Sequence, residues 1–104
     1  MILSPVEAIN RVDESVTVEM LVQRTKLCSG SRQCFLDSEP NHRDPNNLGV
    51  VVTETGRKKF TEVGIDDPTG HFKGKTIRVR GVVIRQENRP YIEVDDPMQI
   101  EIVD

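Results

Sequence analysis

Apolar and polar residues alternate along several stretches of this chain. In VTVEMLVQRTK, Val16, Val18, Met20 and Val22 fall on one side and Thr17, Glu19, Leu21 and Gln23 on the other, the period of two that a strand with one buried face requires. Residues Ser29 to Ser31 make a Gly-centred turn, after which QCFLDS reads as the returning strand of a hairpin. LGVVVTE is short and apolar enough to be buried on both sides. In GKTIRVRGVVIRQ, Ile77, Val79 and Val83 oppose Arg78 and Arg80, and Gly81 stands where a bulge would bend the strand. Gln86 to Arg89 is the next turn, beyond which Tyr91 and Glu93 alternate against Ile92 and Val94. The tail MQIEIV is expected to add a short pairing segment that closes the sheet.

Two helices fit between these strands. Ser4-Pro5-Val6-Glu7 is a capping box with proline at the first helical position, which predicts a short helix from Pro5 to Ile9. In TGRKKFTEVGIDDPTGHF, Phe60, Val63 and Ile65 recur at helical spacing, with Gly64 and Pro68 as stop signals. The stretch EPNHRDPNN, Glu39 to Asn47, is dense in turn formers and reads as a loop. A short helix, three strands, a helix and two strands is the order of a mainly β, five-stranded Greek-key barrel of the OB type. The expectation is one domain over residues 1–104, with a helical lid at 1–12 and the barrel at 15–103. A small β-roll or SH3-like barrel accounts less well for the helix after the third strand.

Composition restricts the partners. The 104 residues are 30% charged with a net charge of −3, a mean hydropathy of −0.44 and a pI near 5.4. A dedicated high-affinity DNA binder usually has a domain pI above about 9. The charge is segmental, however: −3 over residues 1–20, +3 over 21–36, −3 over 37–56, +5 over 57–90 and −5 over 91–104. Only the fold can decide whether the two basic segments meet. No apolar run approaches the ~20 residues that cross a bilayer, and the N-terminus lacks the basic-then-apolar pattern of a signal peptide. No membrane insertion is expected.

The frame VTVEMLVQRT…CFLDSE, followed by FKGKTIRVRGVVIRQENRPYIEVDDPMQIEIV, resembles bacterial OB-fold domains of the tRNA-anticodon-binding-like, nucleic-acid-binding class. The likeness covers roughly residues 15–103. It is carried by Gly74, Lys75, Ile77, Val79, Gly81 and Val83, then by Arg89, Pro90, Ile92, Val94, Asp96, Pro97, Gln99 and Ile100. Glycine, apolar and proline positions of this kind specify a fold better than a ligand.

The resemblance implies a ligand face around the second and third strands, rimmed by the first and last hairpin loops. Mapped by strand order, Arg24, Lys26 and Arg32 lie at one rim and Arg85, Asn88 and Arg89 at the other. The basic residues could neutralise phosphates, and Asn88 and Gln33 could offer hydrogen bonds. Of the four aromatic residues, Phe60 and Phe72 are expected in the core. Phe35 and Tyr91 remain the candidates for stacking, and Tyr91 is the better because its alternation with Ile92 places it outward. Phe35 is expected buried. The competing reading pairs Arg78 and Arg80 with Glu93 across strands, with no ligand involved. The expectation is weak, sequence-tolerant binding of single-stranded DNA or RNA; the alternative is a protein-interaction or oligosaccharide-binding barrel.

Catalysis is not expected, and neither is a cofactor or a metal. His42 beside Asp44, and His71 near Asp66 and Asp67, lie in turn-rich segments without a second histidine at ligand spacing. The pairs Asp66-Asp67 and Asp95-Asp96, each followed by proline, read as turn starters whose carboxylates cap backbone amides. Cys28 and Cys34 are too far apart in sequence for a CxxC motif. A hairpin between them could bring them together as a disulfide, implying an extracytoplasmic setting. The other reading is two unlinked thiols in a cytoplasmic protein.

Overall fold

The computed structural model describes residues 1–28 and 30–103. Ser29, part of the turn expected at residues 29–31, lies outside the described residues. In chain order the elements are β1 (Ile2–Leu3), α1 (Pro5–Ala8), β2 (Ser15–Leu21), β3 (Arg24–Cys28), β4 (Gln33–Asp37), β5 (Gly49–Val52), α2 (Glu54–Glu62), α3 (Pro68–Phe72), β6 (Thr76–Gln86), β7 (Arg89–Val94), a 3₁₀ turn (Pro97–Gln99) and β8 (Ile100–Ile102).

Local chemistry accounts for most boundaries. The Ser4 hydroxyl accepts from the Glu7 amide while the Glu7 carboxylate accepts from the Ser4 amide, closing the capping box of α1. Thr53 caps α2. That helix ends in a Schellman arrangement around Gly64 (φ +89°): the Gly64 amide donates to the Thr61 carbonyl and the Ile65 amide to the Phe60 carbonyl. Asp67 and Asp96 cap α3 and the 3₁₀ turn as expected of turn starters. Hydrogen bonds to the capping carboxylates lower the pKa of both: Thr69 acts chiefly on Asp67, and the Met98 amide chiefly on Asp96.

The strands join in the order β1-β2-β6-β7-β5-β4-β3, with β8 paired to β6. Pairings are antiparallel except β1 with β2 and β5 with β7. The expected five-stranded closed barrel is therefore corrected to eight strands among the described residues, without closure. The long first strand is interrupted at Val22–Gln23. Val22 exchanges hydrogen bonds with Lys75 and Gly74, next to β6, whereas the Gln23 amide donates to the Asp37 carbonyl of β4. The chain thus changes partners between two residues. Its two halves lie far apart on the strand path, β3 at one end and β2 one strand in from the other, and they are not paired with each other.

One apolar cluster fills the inside of this curled sheet. Val18 and Met20, Cys34 and Leu36, Val50 and Val52, Ile77, Val79 and Val83, and Ile92 and Val94 all face inward. Leu3 and Ala8 join this cluster from the N-terminal segment, and Phe60 and Phe72 join it from the two helices. The two rings meet edge to face at 5.8 Å.

Four further expectations are corrected. Val63 is exposed at the C-cap of α2, and Ile65 reaches the core from beyond the helix, as the residue after the Schellman glycine. Pro68 starts α3 rather than merely stopping α2. No bulge interrupts β6 at Gly81, where pairing with β2 runs through Val16↔Gly81 and Ser15↔Val82 in unbroken register. A side chain there would meet Ile92 Cγ2 at 2.6 Å, so close approach explains the glycine. Lastly, Arg78 pairs with Glu19 at 2.9 Å and Arg80 donates to the Met98 carbonyl at 2.7 Å; neither reaches Glu93. This segment of β6 lies against β2, and pairing with β7 begins only at Val83.

Candidate functional site

Strand register alone assembles an outer face. Arg24, Asp37, Gly49, Tyr91 and Ile84 form one row across β3, β4, β5, β7 and β6. Lys26, Phe35, Val51 and Glu93 form the next, and Cys28 with Gln33 begins a third. Because side chains alternate along a strand, these rows share the face opposite the core. Phe35 and Tyr91 lie two strands apart on it and one row out of step, a spacing of about 12 Å.

Two loops raise walls around this face to make a groove of about 670 Å³. One wall is the β6–β7 turn, in which Glu87 (φ 53°) and Asn88 (φ 61°) adopt the left-handed conformations of a two-residue hairpin turn. The other is the loop from 39 to 47, which brings His42, Arg43, Asp44 and Pro45 to the rim.

A buried polar network holds that loop. Asn47 donates to Asp37 Oδ1 at 3.1 Å and to the His42 carbonyl at 3.4 Å, and its own Oδ1 accepts from the Glu39 amide at 3.0 Å. Ser38 Oγ donates to Asn47 Oδ1 and accepts from the Leu48 amide at 2.9 Å. Asp37, only 5% exposed, is also paired with Arg24 at 3.0 Å. The buried carboxylate therefore fixes both the loop and the guanidinium that stands at the groove floor.

The lining carries four basic side chains, Arg24, Lys26, Arg43 and Arg89, against four acidic ones, Asp37, Asp44, Glu87 and Glu93. Half-buried Tyr91 has its phenol pKa raised by burial, with Glu93 adding to the shift, so it remains a neutral phenol; its Oη donates to Gln86 at 3.2 Å. His42 is pushed the other way, first by lost hydration and then by the positive charges of Arg24 and Arg89, with Asp37 opposing.

Of the residues singled out from sequence, Arg24, Lys26, Asn88, Arg89 and Tyr91 meet in this groove, together with Gln33. Arg32 and Arg85 are not in its lining. Arg32 sits at the hairpin tip (φ 57°), 3.9 Å from Glu54. Arg85 stands opposite Pro90 and alternates to the face away from Tyr91. Phe35, expected in the core, lines the groove instead. His42, read from the sequence only as a histidine in a turn-rich segment, and its neighbour Arg43 also line the groove, and nothing local in EPNHRDPNN signals that this loop folds over the sheet.

Of the two readings of the cysteines, the structure holds the unlinked one: both thiols are free. Cys28 pairs in register with Gln33 and Cys34 with Leu27. Cys28 therefore lines the groove while Cys34 is buried in the core. The hairpin supplies no argument about compartment.

No protein-family model matches the sequence, and no curated protein matches it. Solved structures do. The chain superposes on an aspartyl-tRNA synthetase from Entamoeba histolytica with a TM-score of 0.64 at 14% identity, over 95% of this chain and 20% of that one. A Leishmania major Friedlin protein assigned as an aspartyl-tRNA synthetase matches with a TM-score of 0.64 at 14% identity, over 99% and 20%. The asparaginyl-tRNA synthetase of Pyrococcus horikoshii matches with a TM-score of 0.60 at 14% identity, over 98% and 23%. The chain spans about a fifth of the length of these proteins. At this identity the likeness is one of fold, and the fold is a mainly β, OB-like one.

Proposed function

We propose that this protein is a binding module for single-stranded nucleic acid, DNA or RNA, that holds its ligand weakly and with little preference for sequence. The observation that carries the reading is the outer face on which Phe35 and Tyr91 stand among Arg24, Lys26, Arg43 and Arg89. Unpaired bases stack on exposed aromatic rings, each contributing about 1–3 kcal/mol, while guanidinium and ammonium groups neutralise the backbone. Asn88 and Gln33 supply hydrogen bonds beside them. Arg32 and Arg85, off the groove, act only through their longer-range field.

Two further points support this reading. Taken as one interrupted strand, β2 and β3 reduce the path to the strand order of a five-stranded OB barrel, and the groove then lies on the face where that fold places ligands. The solved neighbours are tRNA synthetases by name, proteins that handle an RNA. The balance of four acids against four bases fits modest affinity. A binder is favoured over a catalyst because the buried carboxylate of Asp37 is already engaged by Arg24 and Asn47.

The test is a fluorescence-anisotropy titration of labelled single-stranded DNA and RNA at low and moderate salt, with Tyr91→Ala, Phe35→Ala and Arg89→Ala beside the parent. Binding should weaken steeply with salt, and each substitution should reduce it. No binding at high-micromolar protein in low salt would overturn the reading. Binding indifferent to salt would point instead to a neutral glycan or a protein partner.

A further inference from the structure

We propose that protonation of His42 switches the groove's hold on a polyanion, by turning a charge-balanced lining into a net-positive one. The inference rests on the nucleic-acid reading above and concerns its regulation. With imidazole neutral, the four basic and four acidic side chains of the lining cancel. Whether the groove attracts or merely tolerates phosphates is then decided by one further charge.

His42 is placed to supply that charge. It is half-buried on the groove wall, and its backbone carbonyl is held by Asn47 at 3.4 Å, so the backbone that carries the ring is tethered to the network under the sheet. Arg24 from β3, Asp37 from β4 and Arg89 at the start of β7 face it, with Arg43 beside it in the loop. Asp44 follows in the same loop, and Glu87, Tyr91 and Glu93 close the far wall. Asp37 is paired with Arg24, and Arg89 and Arg43 are the further positive charges that act on the imidazole.

Without ligand, partial dehydration and then the surrounding positive charge lower the His42 pKa and favour the neutral ring. A phosphate entering between the imidazole and the arginines reverses the local field and raises the proton affinity of the ring. Binding therefore takes up a proton, and affinity must rise as pH falls through the imidazole range. The other histidine, His71, lies on α3 outside the lining, with its ring edge-on to Phe72 at 4.7 Å. It provides an internal control.

The experiment follows a fluorescein-labelled oligothymidylate of about eight nucleotides by anisotropy. Ionic strength is held constant from about pH 8 to about pH 5.5, a window that brackets an ordinary imidazole. The parent and His71→Gln should tighten about fivefold or more as pH falls, up to a limit of about tenfold per pH unit for one proton. His42→Gln should bind weakly and without this dependence, and His42→Lys should bind at high pH as tightly as the parent does at low pH. A parent and His42→Gln with the same pH dependence, or a parent whose binding is flat, would overturn the switch and leave the nucleic-acid reading standing. Absence of binding by every protein at every pH would overturn both.

Discussion

Gly49 stands directly across from Tyr91 in the parallel β5–β7 ladder, and a Cβ built on Gly49 would lie 3.5 Å from Tyr91 Cβ. That is ordinary van der Waals contact, so Gly49→Ala should fold and bind like the parent. The missing side chain matters for what it leaves open, the groove floor beside the aromatic ring. Gly49→Leu should fill that floor and weaken oligonucleotide binding by about 1–3 kcal/mol, the value of one lost stacking contact. Thermal melts and anisotropy titrations of both variants separate folding from binding; equal affinity of Gly49→Leu and parent would remove Tyr91 from the ligand site.

The two cysteines should differ sharply in reactivity. Native protein should show one thiol accessible to Ellman's reagent, Cys28, and a second only in denaturant. Burial raises the Cys34 pKa, with Arg57 opposing, so the folded state keeps this proton longer than the unfolded chain does. Its contribution to stability is fully present below the unfolded thiol pKa and declines as pH rises above it, beyond about 8.5. Denaturant midpoints at rising alkaline pH, compared between parent and Cys34→Ala, test the sign.

Asn47 ties together a carboxylate, a backbone amide and a carbonyl in one buried site. Asn47→Ala leaves the Glu39 amide and one oxygen of Asp37 without that partner. The expected loss is about 2–3 kcal/mol of stability in urea unfolding, from the cost of burying unsatisfied polar groups. Loop 39–46 should also exchange its amide hydrogens faster.

Two backbone positions should respond in opposite senses. Gly56 lies inside α2, where alanine normally stabilises a helix by about 1 kcal/mol. Here an added Cβ would run into the Val94 carbonyl, a backbone atom that cannot step aside. Gly56→Ala should therefore destabilise by about 1–3 kcal/mol. Glu87 instead occupies a left-handed turn position better suited to asparagine or glycine. Glu87→Asn should raise stability by about 0.5–1 kcal/mol. Equilibrium unfolding of the two variants checks both signs.

Period-two alternation and end chemistry are local, and the sequence by itself determined what depends on them. It assigned Tyr91 and Glu93 to one face of their strand and Ile92 and Val94 to the other. The same logic located the Ser4 capping box, the Asp67 and Asp96 caps and the turn at residues 86–89. Five of the seven proposed contact residues also meet in the groove, because the strand ends that bear them are legible from pattern alone.

Register and long-range pairing were decided only by the tertiary structure, since these depend on which strand each edge finds. Setting Cys28 against Gln33 puts the two thiols on opposite faces, an outcome that a slip of one residue would reverse. The exchange of hydrogen-bond partners at Val22–Gln23 splits one run into two strands and reverses its alternation, since Val18, Met20 and Val22 face the core whereas Arg24 and Lys26 face outward. Arg78 meets Glu19 because this part of β6 pairs with β2, and β7 joins β6 only from Val83. The fold also turned Phe35 outward and laid His42 and Arg43 along the groove. A loop has no periodicity to declare its side, and this one is placed by the buried network of Asp37, Ser38 and Asn47.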